Sequence, residues 1–288
     1  MSNISIQAFF DHSTFTVSYV VSDNESKECI IIDSVHDFRP ASGRIETHSA
    51  DQLIAYIQSK QLKTVWILES HAHADHLSAA CYLKQVLGGK IAIGAQIKDV
   101  QKTFKNIFNF EKEFKDDGSQ FDRLLNEGDQ LKIGDSLIDI LHTPGHTPAC
   151  LSYKIEDAIF VGDTIFMPDF GTARTDFPGG DAATLYQSIK RILSLPESTR
   201  IFTGHDYGTD KRKTFAWEST VAEQKKSNIH INDKISKDEF IHYRNTRDAS
   251  LELPDLILPS VQINIRAGQL PPKEDNGTSY LKLPLNIL

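Results

Sequence analysis

A chain of 288 residues, 40% hydrophobic and 24% charged, is long enough for one large α/β domain or a domain with an added lobe. Its net charge of −8 argues against general nucleic-acid binding, which needs a basic face, while a local basic patch would still suffice for a small anionic ligand. Three scattered cysteines, Cys29, Cys81 and Cys150, form neither a CxxC pair nor a disulfide framework and suit a reducing compartment. The N-terminus lacks a leader pattern and no apolar run is long enough to span a bilayer, so a soluble, cytoplasmic protein is expected, with no membrane partner.

Residues 4–10, 15–21 and 28–33 read as three strands, with a turn at Asp23-Asn24-Glu25-Ser26. The third is continuously apolar from Cys29 and ends in Asp33, as a central strand would near a site. Residues 34–49 read as a polar loop, and Ala50 to Lys60 as an amphipathic helix with Leu53, Ile54 and Ile57 on one side. Thr64 to Leu68 is a buried strand. A helix is expected from Leu77 to about Leu87, stopped by Gly88-Gly89. Ile91 to Gly94 is a short strand, and residues 96–122 begin helical and then become charged and Phe-studded, reading as local core.

In the second half, Leu131 to Ile133 and Ser136 to Leu141 make a hairpin around Gly134-Asp135. Cys150 to Ile155 and Ala158 to Val161 make another. A Gly-, Pro- and Asp-rich loop follows from Met167 to Asp181, then a helix from Leu185 to Leu195 and a last core strand from Arg200 to Thr203. Residues 216–227 and 236–248 read as polar helices, and 250–288 as a proline-rich extension with little periodicity. Hairpins alternating with helices predict an α/β (α+β) fold of two mixed sheets covered by helices, a four-layer αββα sandwich. The expected division is a catalytic domain over 1–215 and a helical and extended segment over 216–288 packed on it.

The stretch His71-Ala72-His73-Ala74-Asp75-His76 lies between a buried strand and a helix, where α/β folds place their sites. Imidazoles and a carboxylate are ligands for first-row metals. The blander alternative is a polar loop that happens to be rich in His, which a single His would favour. Three more groups of the same chemistry stand where apolar runs stop: His146 after Thr143-Pro144-Gly145, Asp163 after Gly162, and His205 after Gly204. A sheet that gathers strand ends at one edge would converge them on one point.

This ordered set resembles the metallo-β-lactamase superfamily over residues 4–210. The run from Phe166 to Phe177, with the tail segments 264–268 and 280–286, is similar to the persulfide dioxygenase (sulfur dioxygenase) branch, in its bacterial form without a rhodanese domain. The resemblance implies the αββα sandwich and one iron(II) per chain, with zinc or manganese able to take its place in preparations. It carries His71, His146 and Asp163 over as ligands, a facial triad that leaves coordination positions open. His73, Asp75, His76 and His205 then have two readings. They orient ligands and water around one iron, or they complete a second metal site, as in binuclear zinc hydrolases of the glyoxalase II type that cleave thioesters or lactones. A non-catalytic metal-dependent sensor is a third reading, disfavoured because the ligands and a substrate loop are both intact.

For the dioxygenase branch the implied reaction is glutathione persulfide plus O2 and water giving sulfite and glutathione. The resemblance places Tyr207 and Asn264 against glutathione, with Arg266 and Lys213 near them in sequence. His230 stands close to where a relative carries an arginine. Arg174 either steers an anionic substrate or locks its loop by pairing with Asp169 or Asp176. A homodimer is compatible with the sequence. Cys150, His12, His36, His48, His142 and His242 read as structural or surface residues, His142 the least securely because it lies so near His146.

Overall fold

The computed structural model describes residues 3–287. The chain opens with an antiparallel meander, β1 (Ile4–Phe10), β2 (Val17–Asp23) and β3 (Glu28–Ile32). A hairpin of β4 (Val35–Arg39) and β5 (Arg44–Glu46) leads to α1 (His48–Ser59) and β6 (Lys63–Leu68). Then come β7 (Leu77–Ser78), α2 (Ala80–Leu87), β8 (Lys90–Gly94), α3 (Ile97–Ile107) and β9 (Arg123–Leu125). The first sheet has the order β1-β2-β3-β6-β8-β9, with β3, β6, β8 and β9 parallel to one another.

The second sheet is built from β10 (Gln130–Ile133), β11 (Ser136–His142), β12 (Leu151–Ile155), β13 (Ala158–Phe160), β14 (Arg200–Phe202) and β15 (Glu218–Thr220), in that order. Helix α4 (Ala182–Ile192) crosses over between β13 and β14, which pair in parallel. Its start is fixed by Asp181, whose carboxylate accepts the Thr184 N–H. Helices α5 (Val221–Ser227), α6 (Lys237–Asp248) and α7 (Ile257–Asn264) complete the chain.

The strand sequences explain the layers. In β3, Ile30 and Ile32 face the core between the sheets, while Cys29 and Ile31 face the outer helices. Phe160 and Phe202 point into the inter-sheet core, and Ile159 and Ile201 point out against α4 and α6. Period-two alternation in strands that are apolar on both faces demands cover on both sides, and four layers follow. Each such fully buried aliphatic side chain contributes about 1.5–3 kcal/mol over leaving it in water. Two tyrosines tie the sheets together with buried tips: Tyr19 donates to the Thr203 carbonyl at 2.6 Å, and Tyr153 to the Glu69 carbonyl at 2.7 Å.

Four segments differ from the sequence expectation. Residues 34–49 are not a plain loop, because β4 pairs with both β5 and β7. The helix after the histidines starts at Ala80 rather than Leu77, since Leu77 and Ser78 are spent on that pairing. Residues 218–220 add the edge strand β15 before α5. The tail holds the buried helix α7, whose Pro259 lies in the first turn, where no N–H is needed. It is buried nearly all round, Ser260, Gln262 and Asn264 included, so it carries no amphipathic signature. The phenylalanines of 104–121 pack into the core as expected. No helix among the described residues is long and apolar enough to cross a membrane.

Candidate metal centre and its cleft

The site lies at one edge of the sandwich, where both sheets end. From the first sheet come Asp33, just past β3, and residues 69–76, just past β6. From the second come His146 in the β11–β12 turn, Asp163 beyond β13 and His205 beyond β14. Gly162 makes that closure feasible. It has φ +48°, and a Cβ there would stand 2.3 Å from the Ser70 hydroxyl.

His71, His146 and Asp163 converge, with one donor atom of each within 4.8 Å of the others. Nε2 of His71 and Nε2 of His146 each stand 3.9 Å from Asp163 Oδ2. The other nitrogens are engaged: His71 Nδ1 meets the Ser70 hydroxyl at 3.0 Å, and His146 Nδ1 the Arg174 carbonyl at 2.8 Å. Burial, with His73 and His146 nearby, lowers the His71 pKa well below its usual value, and burial lowers that of His146. Neutral imidazoles are the form that binds a metal. Burial would raise the Asp163 carboxyl, but His205 outweighs it and the group stays below its usual value.

His73, Asp75 and His76 form a second grouping, and Asp33, Glu69 and His73 a third. His73 Nε2 faces Asp33 at 3.1 Å and Glu69 at 3.4 Å. Burial opposes the charge on His73, but Asp33 outweighs it and raises the pKa well above normal. His205 is held between two carboxylates, Nδ1 at 2.6 Å from Asp163 and Nε2 at 2.6 Å from Asp75. Burial would lower His205, but Asp163 and Asp75 raise it to about 10.

Whether these residues fit a metal is tested by their buried polar atoms. Nε2 of His71, Nδ1 of His73 and Nε2 of His76 are buried without a hydrogen-bond partner. Such orphans are costly in a protein interior. Three of them on neighbouring histidines fit a cation-binding site.

A cleft of about 410 Å³ opens over the triad, with Asp75, His146 and Asp163 at its floor. Its walls are largely apolar, from Phe166, Phe170, Phe177, Ile229 and Leu251. Tyr207 lines it too, with its ring stacked on His205. Arg174 also lines it, and its guanidinium makes two bonds to Asp176, at 2.6 and 2.5 Å, and one to the Glu252 carbonyl. It thus locks its loop through Asp176 while facing the cleft; Asp169 pairs with Arg212 instead.

Two expected substrate residues stand elsewhere. Asn264 is buried behind the histidine loop, where it donates to the carbonyls of His73 and His76 at 2.8 Å and accepts the Ser78 N–H. Arg266 is buried as well, paired with Glu111 at 2.7 Å and packed on Phe110 and Phe114. Neither lines the cleft, because α7 packs against the back of the site rather than its mouth. The His142 ring donates from Nε2 to the Pro148 carbonyl at 2.8 Å, a structural contact.

His230 does line the cleft, but with a different character from an anion anchor. Its Nδ1 accepts the Thr172 N–H at 3.0 Å, and burial followed by the charges of Arg244 and Arg247 lowers its pKa to about 4. Near neutral pH it carries no charge, and the cations facing the cleft are Arg174, Arg244 and Arg247. The last two sit on α6, whose polar sequence gave no hint of them; only the fold brings that helix to the cleft mouth. A histidine depressed on folding costs stability in acid, because the unfolded chain binds the proton first. Stability is therefore expected in full above pH ~6.5, the ordinary histidine value, and to fall as pH drops toward 4. Urea midpoints measured across that window should fall less steeply for His230→Gln than for the unsubstituted protein.

Cys150 is fully buried and bonded to Thr147, and burial pushes its thiol up to about 12; Cys29 is raised by burial to about 11. A thiol reagent applied to the native protein is expected to label Cys81 alone, with the other two reacting only after denaturation. Early labelling of Cys150 would contradict its structural role.

Two sheets ending in a histidine- and aspartate-lined edge define a metal-dependent enzyme fold. The chain belongs to the metallo-beta-lactamase superfamily, whose model matches residues 14–205. It is 53% identical to Glyoxylase B2 of Dictyostelium discoideum, over 100% of this chain and 99% of that one. It is 51% identical to a probable metallo-hydrolase of Burkholderia pseudomallei, over 99% and 100%. The mitochondrial persulfide dioxygenase ETHE1 of Mus musculus is 29% identical, over 93% and 91%. Among solved structures, that of ETHE1 from Myxococcus xanthus superposes with a TM-score of 0.73 at 25% identity, covering 92% of this chain and 100% of that one.

Proposed function

We propose that this enzyme is a non-heme iron persulfide dioxygenase that converts glutathione persulfide, O2 and water to glutathione and sulfite. The observation that carries the reading is the division of labour among the metal-type residues. Three groupings converge, but in the two that contain His73 the side chains are already paired, Asp75 with His205 at 2.6 Å and His73 with Asp33 at 3.1 Å. In the third, His71 and His146 stand 3.9 Å from Asp163 with room between them for an ion. One ion held by three side chains keeps positions open for two small reactants. The likeness to ETHE1 supports the same reading.

Iron held by His71, His146 and Asp163 would supply the redox chemistry by which O2 oxidises sulfur. The balance is RSSH + O2 + H2O → RSH + SO3²⁻ + 2H⁺, a net four electrons passing from sulfur to O2. The chain's own residues do the rest. Arg247 provides positive charge at the cleft for the carboxylates of the thiol, beside Arg174 and Arg244, which are paired with Asp176 and Asp248. The phenylalanine walls keep bulk water from the sulfur. The Arg174 carbonyl fixes the His146 ring through Nδ1, leaving Nε2 turned to the site.

A binuclear hydrolase is the second reading, favoured by the orphaned His73 Nδ1 and His76 Nε2 and by the names of the relatives above 50% identity. One experiment separates them. The protein is reconstituted anaerobically with iron(II), its metal is counted, and it is assayed on an oxygen electrode with glutathione persulfide. One iron per chain and oxygen uptake are expected. Two zincs per chain with cleavage of a glutathione thioester and no oxygen uptake would overturn the proposal.

A further inference from the structure

Beside the cleft lies a second, much smaller void of about 20 Å³. Its wall is apolar: Ala72 from the histidine loop, Val100 and Phe104 from α3, and Ile257 and Val261 from α7. It shares Ala74, His146 and Phe177 with the cleft, so these side chains border both spaces.

The void is large enough for one small molecule, since roughly 10–15 Å³ suffices for a water. A buried water also needs two to four polar partners, and the wall offers only two polar residues, His146 and Thr147. His146 Nδ1 is committed to the Arg174 carbonyl, and the Thr147 hydroxyl to Cys150. A space of this kind stays dry and takes up apolar gas-sized molecules.

We propose that this void is a holding site for dioxygen, next to the His146 edge of the triad. The inference rests on the dioxygenase reading and adds to it a separate place for the second reactant. The persulfide arrives through the arginine-rimmed cleft, and O2 waits on the opposite side of Phe177. Dioxygen is apolar and neutral, so it partitions into such a space, while the anionic substrate is excluded.

The test uses xenon and dioxygen as probes on the iron-loaded enzyme. Crystals pressurised with xenon are expected to show it among Val100, Phe104 and Val261. Val261→Leu fills the void without touching the triad, and Val100→Leu does so from another helix, guarding against a misfolded variant. Each should lose the xenon and raise the apparent KM for O2 several-fold, with kcat at saturating O2 and KM for the persulfide unchanged. Normal oxygen uptake with an unaltered KM for O2 in both folded variants would overturn the holding site and leave the dioxygenase reading standing. An enzyme that takes up no oxygen at all overturns the reading and the site's role together, even with xenon bound.

Discussion

His71→Ala is expected to purify without metal and to lose more than about 100-fold in turnover, beyond the range seen when only a partner that orients a ligand is removed. The reason is local. His71 Nε2 is buried, faces Asp163 Oδ2 at 3.9 Å and has no hydrogen-bond partner, so nothing else in the fold uses it. Its loss should cost the fold less than it costs the site, because the only side-chain bond lost with the ring is the Nδ1 contact with the Ser70 hydroxyl. Metal analysis and oxygen uptake on the same preparation check both parts. Full activity with normal metal content would remove His71 from the ligand set and favour a centre built on His73, Asp75 and His76.

Asp248→Ala is expected to have the largest effect on stability. Arg244 and Asp248 form an ion pair at 2.5 Å on α6, with both side chains only 4% exposed. Asp248 also accepts the N–H and hydroxyl of Thr175, and Arg244 donates to the Thr172 carbonyl. Removing one partner leaves a buried guanidinium uncompensated, a loss of about 3–5 kcal/mol. At about 2–4 °C per kcal/mol, the melting temperature should drop by roughly 10 °C. The loop that α6 holds contains Arg174, whose carbonyl fixes His146, so metal affinity should weaken too, within the roughly 10- to 100-fold span for orienting partners. Replacing both members, Arg244→Met with Asp248→Leu, is expected to recover only part of the stability, since no buried charge is then left unpaired but the Thr175 N–H and the Thr172 carbonyl lose their partners. A melting temperature unmoved by Asp248→Ala would show that the pair does not anchor the loop.

How much of this was legible in the sequence follows from the range of each signal. The central strand at Cys29–Asp33 and the strand before His71 announce themselves through local apolar runs, and so does the sandwich. The metal-type residues were legible because each follows a strand end, and a strand end is a local feature. Arg244 and Arg247 were not, because a polar helix has the same local pattern whether it faces solvent or the mouth of a cleft. Asn264 and Arg266 were identified as residues of interest, but which way α7 packs is decided by β7 and the core around Val261, far away in the chain. The pairing of Glu111 with Arg266 likewise joins positions that no periodicity connects.

The position of Asn264 has a consequence for how the enzyme comes into being. All the metal-type residues lie within the first 205 positions, yet the backbone of the loop that carries four of them is clamped by a side chain 188 residues beyond His76. As the polypeptide leaves the ribosome, the sandwich can assemble long before that clamp is made. A nascent chain therefore displays every ligand while the loop that carries four of them is not yet tied down, and loading with the correct ion becomes a late event in synthesis. A product ended early, just short of α7, would look complete to a ligand count and still hold its metal poorly.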